Sequence, residues 1–231
     1  MTPLDPVFWV ALLKIIGVNI VLSGDNAVVI ALAARSLPEK QQKQAIFWGC
    51  GAAIVMRIVL TLFAVALLTV PWLKLVGSVL LLWIGIKLLT DEEDGNAGVE
   101  SHDSMLAAIK TILIADLVMS VDNVIAVAAA AKNDTLLLII GLAISIPLII
   151  YASTLLIKVM ERYPVVITIG AALIGWVAGE MAWDETVIAS FTSQYPRWFE
   201  YIAATAGALV VVVGGKLLAK RRESAAGTHP A

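Results

Sequence analysis

Seven long apolar runs, separated by short polar stretches, make up most of this chain. They fall at about 7–34, 45–69, 72–89, 105–131, 135–158, 164–182 and 198–218. A helix needs about 20 apolar residues to cross the hydrocarbon layer of a bilayer, so each run is a candidate span. The interruptions are the polar loop Arg35 to Gln44, a tight turn at Pro71, the stretch Thr90 to Ser104, a turn at Lys132-Asn133-Asp134, and an aromatic, polar loop Trp183 to Arg197. Pro147 predicts a kink or break in the fifth run. The pattern predicts an all-α polytopic membrane protein with one transmembrane domain over 1–222. The linker 90–104, with Asp91-Glu92-Glu93-Asp94, reads as solvated and flexible, and 223–231 as a disordered tail.

Composition agrees with this. The chain is 60% hydrophobic and 15% charged, against about 45–50% and about 25% in soluble domains. A net charge of −2 gives no case for nucleic-acid binding. Cys50 is the sole cysteine, which excludes an internal disulfide or a thiolate metal cluster within one chain. His102 and His229 lie in polar segments and are poor candidates for core ligands. Thr2 to Pro6 lacks a basic region and precedes a run long enough to span, so no cleavable signal peptide is expected.

Charge also predicts orientation. With seven spans, one side of the membrane collects Arg35, Lys40, Lys43, Lys87, Lys110, Lys158, Arg162, Lys216, Lys220, Arg221 and Arg222, and the other Lys74, Lys132 and Arg197. Cytoplasmic loops carry the excess of Lys and Arg. The expected topology therefore has the N-terminus outside and the C-terminus cytoplasmic.

The runs repeat. Ser23-Gly24-Asp25-Asn26 recurs at an offset of 97 as Ser120-Val121-Asp122-Asn123, and eight of the twenty positions 15–34 match 112–131. Asn19 falls on Asp116. At an offset of 93, Pro71 matches Pro164, Gly77 matches Gly170, Trp83 matches Trp176, Asp91-Glu92 matches Asp184-Glu185, and Lys87 falls on Glu180. Spans 1–3 (7–89) thus repeat as spans 4–6 (105–182), with span 7 (198–218) added. An odd number of spans per unit makes the two copies inverted, a recurrent transporter plan with the site at mid-membrane where the halves meet.

Acids inside hydrocarbon cost about 2.5–3.5 kcal/mol on insertion scales and mark functional sites by default. Asp25, Asp122 and Asp116 supply carboxylates, Asn19, Asn26 and Asn123 amide oxygens, Ser23 and Ser120 hydroxyls. This all-oxygen set suits a hard dication such as Mg²⁺, Ca²⁺ or Mn²⁺. Asp116, Ser120 and Asn123 share a helix face at i, i+4 and i+7. Asp122 and Asp25 point about 120° away on an unbroken helix, so local unwinding near Ser-x-Asp would gather the ligands. Gly24 eases that in the first copy; Val121 does not in the second. The bland alternative for each Asp-Asn pair is hydrogen-bond glue between helices. Ser23 and Ser120 fit backbone bonding better than direct ligation. Arg57, at mid-span, needs an anionic partner, either as a structural counter-charge or to hold an empty site neutral. Glu180 either lines an exit path or faces water.

Ser-Gly-Asp-Asn-Ala-Val-Val-Ile-Ala-Leu-Ala-Ala and Ser-Val-Asp-Asn-Val-Ile-Ala-Val-Ala-Ala-Ala-Ala together resemble the TerC family of integral membrane proteins, in particular its short bacterial branch. The likeness covers about 7–220. It implies a multi-pass protein of the bacterial inner membrane that exports a metal ion, with manganese the associated substrate. On this resemblance Asp25 with Asn26 and Asp122 with Asn123 are the acidic motif positions. The expected function is export of a divalent cation by alternating access, with no catalytic activity and no cofactor besides the transported ion. Its partners would be that ion and the lipid bilayer, and association into a homo-oligomer is open to such a chain. Competing readings are an exporter of amino acids or other organic solutes, a non-transporting scaffold or metal sensor, and an intramembrane aspartyl protease. The Asn after each Asp and the lack of a Gly before Asp122 argue against the last.

Overall fold

The computed structural model describes residues 9, 10, 12–14, 16, 17, 24–63, 70–90, 102–131, 135–196 and 198–226; for 102, 103, 122–131, 135–138, 142 and 222–226 the description is of the backbone. Its elements are α1 (Gly24–Ala34), α2 (Glu39–Leu62), α3 (Leu73–Thr90), α4 (His102–Ala131), α5 (Thr135–Arg162), α6 (Val165–Trp183), a 3₁₀ turn (Thr186–Ile188), α7 (Ala189–Thr192) and α8 (Trp198–Ala226). There is no strand among the described residues. Among the described residues six helices, α2 to α6 and α8, are long and apolar enough to cross a membrane. The first expected span is represented by the shorter apolar α1 and by helical residues between 9 and 17.

The helix ends depart from the apolar runs. α2 begins at Glu39, not near 45, because Glu, Lys and Gln are strong helix formers and carry the helix past its apolar part. Pro38 sets its start, and Lys43 pairs with Glu39 at 3.0 Å one turn on. α8 likewise runs through Lys220-Arg221-Arg222 to Ala226, so 223–226, expected as disordered tail, are helical. α5 passes through Pro147 as one continuous helix, so of the kink or break expected there the break is absent. In the turn before the proline, the Ser145 hydroxyl donates to the Gly141 carbonyl at 3.0 Å.

The helices pack mainly across the two halves of the chain. α2 lies on α4 and α5, α1 on α4, α5 and α6, and α3 on α6 and α4. α1 is the most enclosed element, buried from Val29 to Ala34. The matched glycines do matching work. A Cβ on Gly77 would meet Val118 of α4 at 2.7 Å and Met181 of α6 at 2.6 Å; one on Gly170 would meet Val28 of α1 at 2.8 Å. Each glycine admits a side chain from the opposite half. The Ser78 hydroxyl, donating to the Ala178 carbonyl at 2.7 Å, adds a polar tie between α3 and α6.

α6 and α8 approach closest of all. A Cβ on Gly175 or Gly179 would strike the backbone of Gly207 or Ala203, and one on Gly207 the Gly175 carbonyl. Small residues let membrane helices make van der Waals contact over their backbones. Gly207→Ala is therefore expected to destabilise the protein by about 1–3 kcal/mol or more, since the obstacle is backbone and not a flexible side chain. Thermal unfolding in detergent measures this; an unchanged midpoint would contradict the packing described.

A clamp sits at the start of α3. Glu185, 1% exposed, accepts from the backbone N–H of Leu75 at 3.1 Å and of Val187 at 3.2 Å, and from the Thr186 hydroxyl at 2.9 Å. It thereby caps a helix 110 residues away in sequence. Burial pushes the carboxyl up, but these bonds, with the Trp72 N–H, outweigh it and hold the group below its ordinary value. Trp72 itself has a left-handed φ of 66°, and the clamp helps hold that turn. A depressed carboxyl stabilises the fold above the unfolded pKa, about 4.3 for Glu, and loses this as pH falls through the folded value. Thermal stability is expected to drop below about pH 4 in the native chain, and Glu185→Gln is expected to flatten that drop. Identical pH profiles for the two proteins would remove the clamp from the account.

Candidate ion site

Three helices bring polar side chains together inside the bundle. Arg57 projects from the C-terminal half of α2, five residues before its end, and is 2% exposed. Its Nη2 donates to Asp116 Oδ1 of α4, and its Nε to Ser120 Oγ at 3.0 Å. Ser120 Oγ in turn donates to Asp116 Oδ2 at 3.2 Å, one helical turn away. Thr61 Oγ1 donates to the Arg57 carbonyl at 2.7 Å. A buried ion pair is tolerable only with good geometry and further hydrogen bonds, and Ser120 supplies these by accepting from the arginine and donating to the acid.

Asp25 and Asn26 occupy the first turn of α1. Asp25 is half-buried and within coulombic range of both Arg57 and Asp116. Its Oδ1 accepts the backbone N–H of Asn26 at 2.8 Å. The Asn26 side chain is 3% exposed, yet among the described residues neither its Oδ1 nor its Nδ2 has a hydrogen-bond partner. Leaving a buried polar group unmade costs about 1–3 kcal/mol, so such groups call for an explanation. Cys50 is buried within range of the same Arg57 and Asp116 charges and offers no second thiol.

The sequence-derived ligand set is thus partly assembled. Asp25, Asn26, Asp116, Ser120 and Arg57 share one region. Asp116 and Ser120 are engaged with Arg57, so either one would have to exchange that partner before serving an ion. Asp122 and Asn123 lie on α4, which runs unbroken from His102 to Ala131; the unwinding that would have gathered the ligands does not occur at the second motif, where Val121 stands in place of Gly24. Continuous backbone hydrogen bonding through Val121 removes the carbonyl ligands that a break would have freed. The side chains of Asp122 and Asn123, and all of Asn19 and Ser23, lie outside the described residues. Glu180 stands elsewhere: it accepts from Trp176 Nε1 at 2.6 Å, and its charged neighbours are Glu200 and Asp184. Among the described residues no three His, Cys, Asp or Glu side chains are grouped as a metal site. Glu185 was legible only as the match of Glu92; its capping role needed the position of α3.

An all-helical bundle of membrane-length helices, lined on its outside by exposed apolar residues such as Phe47, Trp83, Tyr151 and Leu209, with a buried Arg-Asp pair and an unpartnered amide inside it, defines an integral multi-pass membrane protein with a polar interior site. The chain belongs to the integral membrane protein TerC family, whose model matches residues 4–224. It is 43% identical over 188 residues to the uncharacterized membrane protein YjbE of Bacillus subtilis, covering 81% of this chain and 86% of that protein. It is 28% identical over 187 residues to the membrane protein YceF of the same organism, covering 77% and 72%. It is 24% identical over 216 residues to the inner membrane protein YgdQ of Escherichia coli, covering 86% and 89%. No solved structure matches.

Proposed function

We propose that this protein is a transporter that exports a divalent metal cation, with Mn²⁺ as its substrate, through a site built on Asp25 and Asn26. The observation that carries this reading is the buried Asn26 amide, with neither end partnered among the described residues, next in sequence to the Asp25 carboxylate. An amide oxygen and a carboxylate are hard-cation ligands, and a bound ion would satisfy the oxygen left open here. Asp122 and Asn123 would add the equivalent pair from the second repeat, and Asn19 a further oxygen.

Arg57 then acts as an internal counter-charge. It neutralises Asp116 while the site is empty, so the bundle carries no uncompensated acid there. Entry of a dication would compete with Arg57 for Asp116 and Ser120. Packing of each half on the other supports a pseudo-symmetric pair of repeats, and the charge bias supports inversion, with the N-terminus outside and the C-terminus cytoplasmic. Rocking of the halves about α1 and α4 would expose the site to either face in turn. The setting is the bacterial inner membrane, and no catalytic role is assigned.

The test is transport in inside-out membrane vesicles. Labelled Mn²⁺ is expected to accumulate, with Ca²⁺ and Mg²⁺ as graded competitors and with no competition from lysine. Accumulation of a labelled amino acid such as lysine, without metal accumulation, would favour the organic-solute reading and overturn this one.

A further inference from the structure

The connection between α6 and α8 is not built like a solvated loop. α6 has 19 residues, so at about 1.5 Å per residue it measures about 28 Å, close to the roughly 30 Å of a bilayer's hydrocarbon. Trp183 at its end and Trp198 at the start of α8 therefore stand at the lipid boundary, and 184–197 begins and ends there. Residues 186–196 carry no charged side chain, whereas 35–44 carry Arg35, Glu39, Lys40 and Lys43. The polar side chains of the connection turn back on its own backbone. Thr192 Oγ1 donates to the Ala189 carbonyl and Ser193 Oγ to the Ser190 carbonyl, each at 3.4 Å, and Gln194 Nε2 to the Ser190 carbonyl at 2.8 Å. Its apolar side chains do the reverse: Val187, Phe191 and Tyr195 are exposed. The rings form a ladder onto α8, Phe191 to Tyr195 at 5.0 Å and Tyr195 to Phe199 at 4.9 Å.

We propose that this connection is a lipid-surface anchor, with Val187, Phe191, Tyr195 and Trp198 resting in the headgroup layer of the leaflet at that end of the bundle. A segment there meets little water, and one whose polar groups are bonded internally enters it at low cost. Tyr and Trp, apolar in body and polar at one tip, concentrate at that level. Continuity selects lipid as the occupant. From Trp198 the exposed apolar surface runs on along α8 through Tyr201, Ile202 and Leu209, the outer side of a membrane-length helix. A soluble partner would cover only the connection; lipid covers the whole surface. Glu185 sets the orientation. It holds the Val187 N–H at 3.2 Å while bonded to the Leu75 N–H at the start of α3, so the anchor is tied to a third span. The placement depends on the spanning fold and not on the ion site.

Fluorescence quenching of the full chain in lipid nanodiscs tests this. Val187→Cys and Phe191→Cys, both at exposed positions, are labelled with a nitrobenzoxadiazole maleimide, and Lys40→Cys, in a charged segment, is the water-exposed reference. The native chain, whose Cys50 is buried, gives the labelling blank. Phosphatidylcholine spin-labelled near its headgroup is expected to quench the labels at 187 and 191 at least about threefold more than the label at 40, and more than the same lipid spin-labelled at its chain end. Aqueous iodide is expected to quench the label at 40 the most. Iodide quenching at 187 and 191 equal to that at 40 would put the segment in water and overturn the proposal. Stronger quenching by the chain-end probe would put it among the acyl chains and overturn the headgroup placement. Quenching at both positions by no agent would mean that protein covers the face, such as a second copy of the chain, and would also overturn the proposal.

Discussion

Asp25→Asn is expected to reduce Mn²⁺ accumulation in inside-out vesicles by at least about tenfold, while the protein still reaches the membrane and unfolds at a normal temperature. The substitution keeps the shape and removes the charge that offsets a dication in a medium of low dielectric. Loss of groups that merely orient metal ligands already costs about 10–100-fold in affinity or activity. Asn26→Leu makes a sharper companion. It replaces two unpartnered buried polar atoms with apolar ones of similar volume. Removing an unsatisfied buried amide is expected to stabilise the fold by about 1–3 kcal/mol. Export is expected to fall at the same time. A structural asparagine would behave in the opposite way, with loss of stability and unchanged transport. The opposition of the two readouts is what marks a site kept for function at a cost in stability.

Breaking the Arg57–Asp116 pair is expected to have the largest effect on folding. Arg57→Leu leaves Asp116, 6% exposed, as an uncompensated acid inside the bundle. Removing one member of a buried pair costs about 3–5 kcal/mol, whereas replacing both by apolar residues is often neutral or stabilising. The double variant Arg57→Leu with Asp116→Leu is therefore expected to recover most of the lost stability, measured by unfolding in detergent as a double-mutant cycle. Transport by the rescued protein is expected to stay low, because the empty site has lost its internal counter-charge and one of its acids. Normal export by that double variant would show the pair to be a scaffold with no part in the ion path. Ser120→Ala should cost less than either member, since the Arg57–Asp116 contact persists without it.

Part of this polar cluster could be read before any coordinates, and the reason is the duplication. Polar side chains in apolar runs are conspicuous, and a second copy at a fixed offset singled out Asp116 and Ser120, which meet Arg57. Gly77 and Gly170 were visible by the same comparison, and both prove to be points where the opposite half presses in. Arg57 was recognisable as a charge in need of an acid. Which acid it takes depends on how α2 crosses α4, and helix periodicity within one run carries no information on crossing. The helix ends were misplaced for a different reason. Hydropathy records where lipid contact stops, whereas Glu39 to Gln44 and Lys220 to Glu223 favour helix regardless of polarity. The unbroken α4 makes the related point that a polar motif inside a span does not by itself unwind it. Glu185 needed the folded chain, because its partners at the start of α3 lie far off in sequence.

The most direct measurement is anomalous scattering from crystals of the full chain soaked in Mn²⁺. The account predicts one ion bonded to Asp25 and to the Asn26 side-chain oxygen, within the range of about 2.0–2.6 Å that hard cations keep to oxygen ligands. Saturating Mn²⁺ with no peak beside these two residues, or a peak held only by Glu180, Asp184 and Glu200, would contradict it.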